Sequence, residues 1–257
     1  MKYTDQYGTT IELKRTPQRI VSLVPSQTEL LYHLGLKEEV IGITKFCIYP
    51  EEWYQSKTRI GGPKKLKIDK IKSLNPDLII GNKEENIREE IEEIQKIAPV
   101  WLSDIYNLTD AIEMINSISL ICNKQSEGNL IVRLIESQFS EIKPLKTTKK
   151  VLYMIWKNPF MVVGPNTFIH HILTEHLGFE NIIKLPRYPE INPDLFQNVD
   201  YVFLSTEPYP FNEKHIPEVK KYFPQAKIMI VDGEYFTWYG SRLASSPGYF
   251  TRLLEEM

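Results

Sequence analysis

The chain has 257 residues, 42% of them hydrophobic and 25% charged, with a net charge of -2 at pH 7. That is long enough for a substantial core, in one large domain or two small lobes, and the absence of a basic excess argues against nucleic acid as a partner. No apolar run approaches the ~20 residues of a membrane span.

The opening stretch, MKYTDQYGTTIELKRTP, lacks the apolar region of a signal peptide. Two expectations follow: a cytoplasmic protein if Met1 is the native start, or an exported one whose signal has been removed. RIVSLV (19–24) reads as a buried strand, and SQTE (26–29) as a capping box in which Ser26 and Glu29 satisfy the start of the next helix. That helix, TELLYHLG, stops at Gly35. VIGIT, a helix around IDKIKSL, the strand DLIIG, a charged helix over 84–97 and the strand PVWLS complete the first half.

The second half repeats this grammar. KVLYMIW is a strand, GPNTFIHHILTEHLG a loop and helix that again ends in Leu-Gly, and LFQNVDYVFLS parallels IKSLNPDLIIG. VKKYFPQAKIMIVDG parallels IQKIAPVWLSD. The expectation is two similar α/β lobes, at residues 1–124 and 145–257. Between them a helical segment over 125–144 follows a weak point at 123–128; its helix over 125–142 spans about 27 Å at ~1.5 Å per residue. One stiff helix should restrain the lobes against large relative motion.

Catalytic signatures are scarce: no GxSxG, P-loop or HExxH, and no GxGxxG after the first strand. His170, His171 and His176 share a predicted helix, but His170 and His171 point about 100° apart and cannot form an i, i+4 metal pair. The run KEENIREEIEEIQK is a solvated helix face with an apolar stripe. Cys47 and Cys122 have no metal-ligand spacing; two buried free thiols are the preferred reading, one disulfide the alternative.

Aromatic residues are the richer signal, because they follow strands, and strand carboxyl ends are where α/β sheets bind ligands. Phe46 and Tyr49 follow VIGIT, Trp101 ends PVWLS, Trp156 and Phe160 lie in WKNPF, and Tyr188 sits in LPRYPEI. In EYFTWYGSR (234–242), Tyr235 and Phe236 are assigned to the core. Trp238, Tyr239 and Arg242 are assigned to a ligand cleft, with Arg242 as a donor to an anionic group and Gly240 supplying a turn. For any one ring, core burial is the blander reading; as a set they favour an aromatic-lined cleft.

Four segments in order, RIVSLVPSQTELLYHLG, IDKIKSLNPDLIIG, WKNPFMVVG and DGEYFTWYGSR, resemble the substrate-binding proteins of ABC importers for iron-siderophores, haem and cobalamin. The resemblance implies a class III periplasmic binding protein: two three-layer α/β lobes joined by one long backbone helix, with ligand held between them. It also implies a monomer without enzymatic activity or cofactor, located in the periplasm or anchored outside the cytoplasmic membrane. Such a protein captures a metal chelate and hands it to an ABC permease. Cleft aromatics of the cobalamin binder fall at Phe46, Phe160 and Tyr188, but two of its tryptophans fall at 61–63 and at Asn82, which counts against cobalamin itself. Arginine with aromatic residues, as at Arg242, Trp238 and Tyr239, suits a ferric siderophore. Permease docking through one acid per lobe falls on Asp69 and Asp194; the blander reading is that both favour a helix dipole. The alternatives are a cytoplasmic chelate carrier or sensor, and an enzyme on the same scaffold with Cys47 as its nearest reactive group.

Overall fold

The computed structural model describes residues 1–196 and 198–257. The chain divides into two compact units. The first is Met1–Ile105, Thr109–Glu136 and Trp238–Ala244; the second is Tyr106–Leu108, Ser137–Thr237 and Ser245–Met257.

The first unit opens with an antiparallel hairpin of β1 (Lys2–Thr4) and β2 (Thr10–Glu12). There follow β3 (Ile20–Ser22), α1 (Pro25–His33), β4 (Val40–Ile43), α2 (Glu51–Ser56), β5 (Thr58–Arg59), the small antiparallel pair β6 (Gly61–Gly62) and β7 (Lys65–Leu66), α3 (Ile68–Leu74), β8 (Leu78–Asn82), α4 (Arg88–Ile94) and β9 (Val100–Ser103). The sheet runs β5-β4-β3-β8-β9, all parallel. Every residue of β3, β8 and β9 is buried, which explains why these segments read as unbroken apolar runs and not as alternation. Val21, Leu23, Ile79, Val100 and Ile71 of α3 share one core with Ile91 and Ile94 of α4, each such side chain contributing about 1.5–3 kcal/mol by burial.

Two long helices follow, α5 (Leu108–Ile121) and α6 (Gln125–Ser140). The break between them is set by Asn123 at φ 55, a left-handed position that asparagine tolerates. This break lies at the start of the weak point expected over 123–128, and Gly128 does not interrupt the helix. It sits inside α6, where an added Cβ would lie 2.1 Å from Ser119 Oγ; glycine here permits close helix contact.

The second unit contains β10 (Lys149–Trp156), β11 (Met161–Val162), α7 (Phe168–His171), β12 (Phe179–Asn181), β13 (Tyr201–Ser205), α8 (Ile216–Tyr222), β14 (Lys227–Val231), α9 (Glu234–Thr237) and α10 (Ser246–Glu255). Its sheet runs β11-β10-β13-β14, with β12 on β10. Only the β11 pairing is antiparallel. Leu152, Met154, Val202 and Leu204 form its core with Phe211, Val219 and Phe223. Thr167 caps α7 by accepting from the His170 amide at 3.2 Å, and the helix continues as a π-helical turn over Ile172–His176.

Several expectations change. The first strand is shorter than 19–24, the charged helix is confined to Arg88–Ile94, and α6 ends at Ser140. The chain leaves the first unit within α6, after Glu136, and the expected 145–257 lobe is interrupted because Trp238–Ala244 groups with the first unit. The capping box over 26–29 does not form: Val24 is the N-cap without a side-chain bond, and Pro25 takes the first turn. Proline there already removes one amide needing a partner and presets the helical φ. The stop at Gly35 does form as read, with φ 78 and the paired bonds Gly35 N–H to Tyr32 O and Leu36 N–H to Leu31 O of a Schellman turn. Cys47 and Cys122 are both free and buried.

Candidate functional site

In the first unit, β4 delivers the chain into the loop that carries Phe46 and Tyr49. Both rings are exposed, at 55% and 41%. Phe46 rests on the β6–β7 hairpin: an added Cβ on Gly62 would stand 3.2 Å from Phe46 Cε2 and 3.4 Å from Lys45 Cε. The loop is tied to that hairpin by the Lys45 amide donating to Gly61 O at 2.8 Å.

The stretch 238–244 packs in the same unit against α1. Arg242 donates from Nε and Nη2 to the two Glu29 carboxylate oxygens, each at 2.9 Å. Its guanidinium lies 4.3 Å from the Trp238 ring centre and 4.8 Å from that of Tyr49, and the Tyr49 and Trp238 rings meet edge to face at 5.9 Å. Two of the five guanidinium N–H donors and the charge are therefore committed to Glu29. The reading of Arg242 as a donor to an anionic group thus falls on a guanidinium whose charge is already matched within its unit. Trp238 and Tyr239 are only 6% exposed and serve mainly to pack this segment. Gly240 is required by proximity, not by a turn: an added Cβ would lie 2.8 Å from Ser26 O.

Trp101 is corrected outright. It is fully buried in the sheet, with Nε1 lacking a hydrogen-bond partner among the described residues, so it presents no surface to a ligand. The position after a strand that suggested it is equally that of a core residue at the end of β9.

In the second unit, Trp156 ends β10 with 40% exposure and meets Tyr209 edge to face at 5.6 Å. Phe160 is half-buried against the core and Tyr222. Tyr188 is half-buried in its loop. Phe236 is fully buried, as assigned, whereas Tyr235 is half-buried and stacks on Tyr249 at 4.5 Å. Asp69, in the first turn of α3, and Asp194, in a 3-10 turn over Pro193–Leu195, are both exposed.

Reactive groups are poorly placed for chemistry. Cys47 is fully buried, with Thr28 Oγ1 and Thr44 Oγ1 each at 3.1 Å from Sγ, and burial pushes its thiol up to about 11. A thiol held protonated is a poor nucleophile. His171 and His176 touch ring to ring at 5.1 Å, yet among the described residues no group of three or more His, Cys, Asp and Glu side chains converges to hold a metal ion. Among the same residues no helix is long and apolar enough to cross a membrane.

Sequence reasoning missed the Glu29–Arg242 pair. The partners lie 213 positions apart, and the only local signal at Glu29 pointed to capping.

The sequence profile of the periplasmic binding protein family matches residues 20–225. An uncharacterised ABC transporter substrate-binding lipoprotein of Bacillus subtilis is 28% identical over 164 residues, 62% of this chain and 51% of that protein. A vitamin B12-binding protein of Vibrio parahaemolyticus is 25% identical over 181 residues, 68% of this chain and 65% of that protein. The chain thus spans between half and two thirds of the length of these relatives. Among solved structures, an ABC transporter substrate-binding protein from Listeria monocytogenes superposes with a TM-score of 0.79 at 17% identity, covering 95% of this chain and 100% of that one. A periplasmic haem-binding protein from Roseiflexus gives 0.76 at 19% identity, covering 93% and 98%. These likenesses fix the fold as the class III periplasmic-binding type. With the family profile extending over most of both units, the chain belongs to the periplasmic binding protein family.

Proposed function

We propose that this protein is the solute-binding component of an ABC importer, located outside the cytoplasm, that captures a metal chelate and delivers it to a permease without chemically altering it. The observation that carries this reading is the set of exposed rings after parallel strands, Phe46 and Tyr49 beyond β4 and Trp156 at the end of β10, on this fold. Each ring covering ~100 Å² of ligand would contribute about 2.5 kcal/mol before ordering costs. Relatives and structural neighbours that bind vitamin B12, haem and a ferric siderophore supply the ligand class: a bulky metal chelate. The buried thiol of Cys47 gives the enzyme alternative no support.

Permease docking is assigned to Asp69 and Asp194, as exposed acids whose pairing would set orientation and on-rate more than affinity. The test of the central reading is a tryptophan fluorescence titration with ferric siderophores, haemin and cobalamin, corrected for ligand absorbance. Saturable quenching at one ligand per chain, with a midpoint of roughly micromolar or tighter, is the expected result. Failure of every chelate to saturate would remove the reading.

A further inference from the structure

Three lysines stand just beyond the carboxyl ends of parallel strands: Lys45 after β4, Lys83 after β8 and Lys157 after β10. Two of them are neutralised within their own units, Lys83 by Asp104 and Lys157 by Glu218. Lys45 is different. It is exposed, and among the described residues its ammonium meets no carboxylate. Instead it lies over the exposed Phe46 ring, 4.9 Å from the centre, with Gly62 beneath both side chains. Gly61 and Gly62 are needed for that arrangement: Gly61 has φ 106, and a Cβ there would meet Lys65 O at 2.3 Å. Arg242, the cation over the Tyr49 and Trp238 rings of the same unit, is already matched by Glu29.

From this we infer that Lys45 reads the ligand's charge, and that the chelate is anionic, bearing catecholate or carboxylate oxygens, and not a neutral corrinoid. The inference rests on the binding-protein reading above and sharpens it. The phenyl ring holds the ammonium by cation–π attraction while leaving its solvent side open to an anion. A chelate whose flat face covers Phe46 would place peripheral oxygens beside Lys45 and exclude water from the pair, which strengthens it.

The experiment titrates three probes, a ferric tris-catecholate, haemin and cyanocobalamin, into the wild-type chain, Lys45→Gln and Lys45→Arg, with circular dichroism confirming that each variant is folded. Wild type should prefer the anionic probes. Lys45→Gln should weaken them about five- to tenfold, Lys45→Arg should stay within about twofold of wild type, and added salt should narrow the difference. Equal affinity of wild type and Lys45→Gln for the anionic probes would overturn the inference while leaving the binding-protein reading intact. So would a wild-type preference for cyanocobalamin. If no probe saturates the wild type, both fall together.

Discussion

Arg242 and Glu29 place opposite charges in side chains only 15% and 13% exposed. A charge so far from water is tolerable only while its partner remains. Glu29→Gln should therefore lower stability by about 2 kcal/mol, read as a reduced urea midpoint, because the guanidinium keeps its desolvation cost and loses its carboxylate. Replacing both partners together, as Glu29→Leu with Arg242→Met, should recover most of that loss. Trp101 makes the opposite case. Among the described residues its buried Nε1 has no acceptor, so Trp101→Phe removes an unsatisfied donor while leaving a small void. The two effects oppose each other, and the expected change in stability is below about 1 kcal/mol. Chelate affinity in the same variant should equal that of wild type; a large loss would return Trp101 to the ligand surface.

Among the elements, the helix beginning at α7 carries a pH dependence. Burial first, and neighbouring His171 second, hold the His176 pKa down to about 4, against about 6.5 in an unfolded chain. Between those values the unfolded chain takes up a proton at this site that the folded chain refuses, so stability falls as pH drops from about 6.5 toward 4. His170 is shifted in the same direction, chiefly by burial. Allowing for screening at a partly solvated ring, His176 should account for about 1 kcal/mol. Urea unfolding of His176→Leu at pH 7 and pH 5 should show a correspondingly smaller acid-induced loss than wild type. This helix was visible in the sequence as an apolar stretch ending in Leu-Gly. Its π-helical turn was not, because no residue in ILTEH marks a change of hydrogen-bond register. For α6 the periodicity located the helix well and the weak point located the break before it, but why a glycine sits at 128 was not legible: residue type alone cannot distinguish a helix breaker from a contact too close for a Cβ.

For the molecule as a whole, binding and stability are linked. A chelate that binds only the folded chain adds RT ln(1 + [L]/Kd), about 2.7 kcal/mol at a hundredfold excess over Kd. The unfolding midpoint should therefore rise with concentration of the true ligand, whereas a chelate that only quenches tryptophan by absorbing light should leave it in place. The sequence alone determined the alternation of strand and helix, the repeated α/β grammar and the family, since these depend on local periodicity, turn chemistry and the order of short motifs. It also brought together, in one set of candidates, the exposed rings Phe46, Tyr49 and Trp156 with the buried Trp101, because a position after a strand is shared by ligand-facing and core residues alike. Only the tertiary structure separated them. It decided that Trp238–Ala244 groups with the first unit and that Arg242 is matched by Glu29, while among the described residues Lys45 meets no carboxylate. Burial and charge pairing are set by contacts between residues far apart in the chain, and those contacts leave no periodic trace in the sequence.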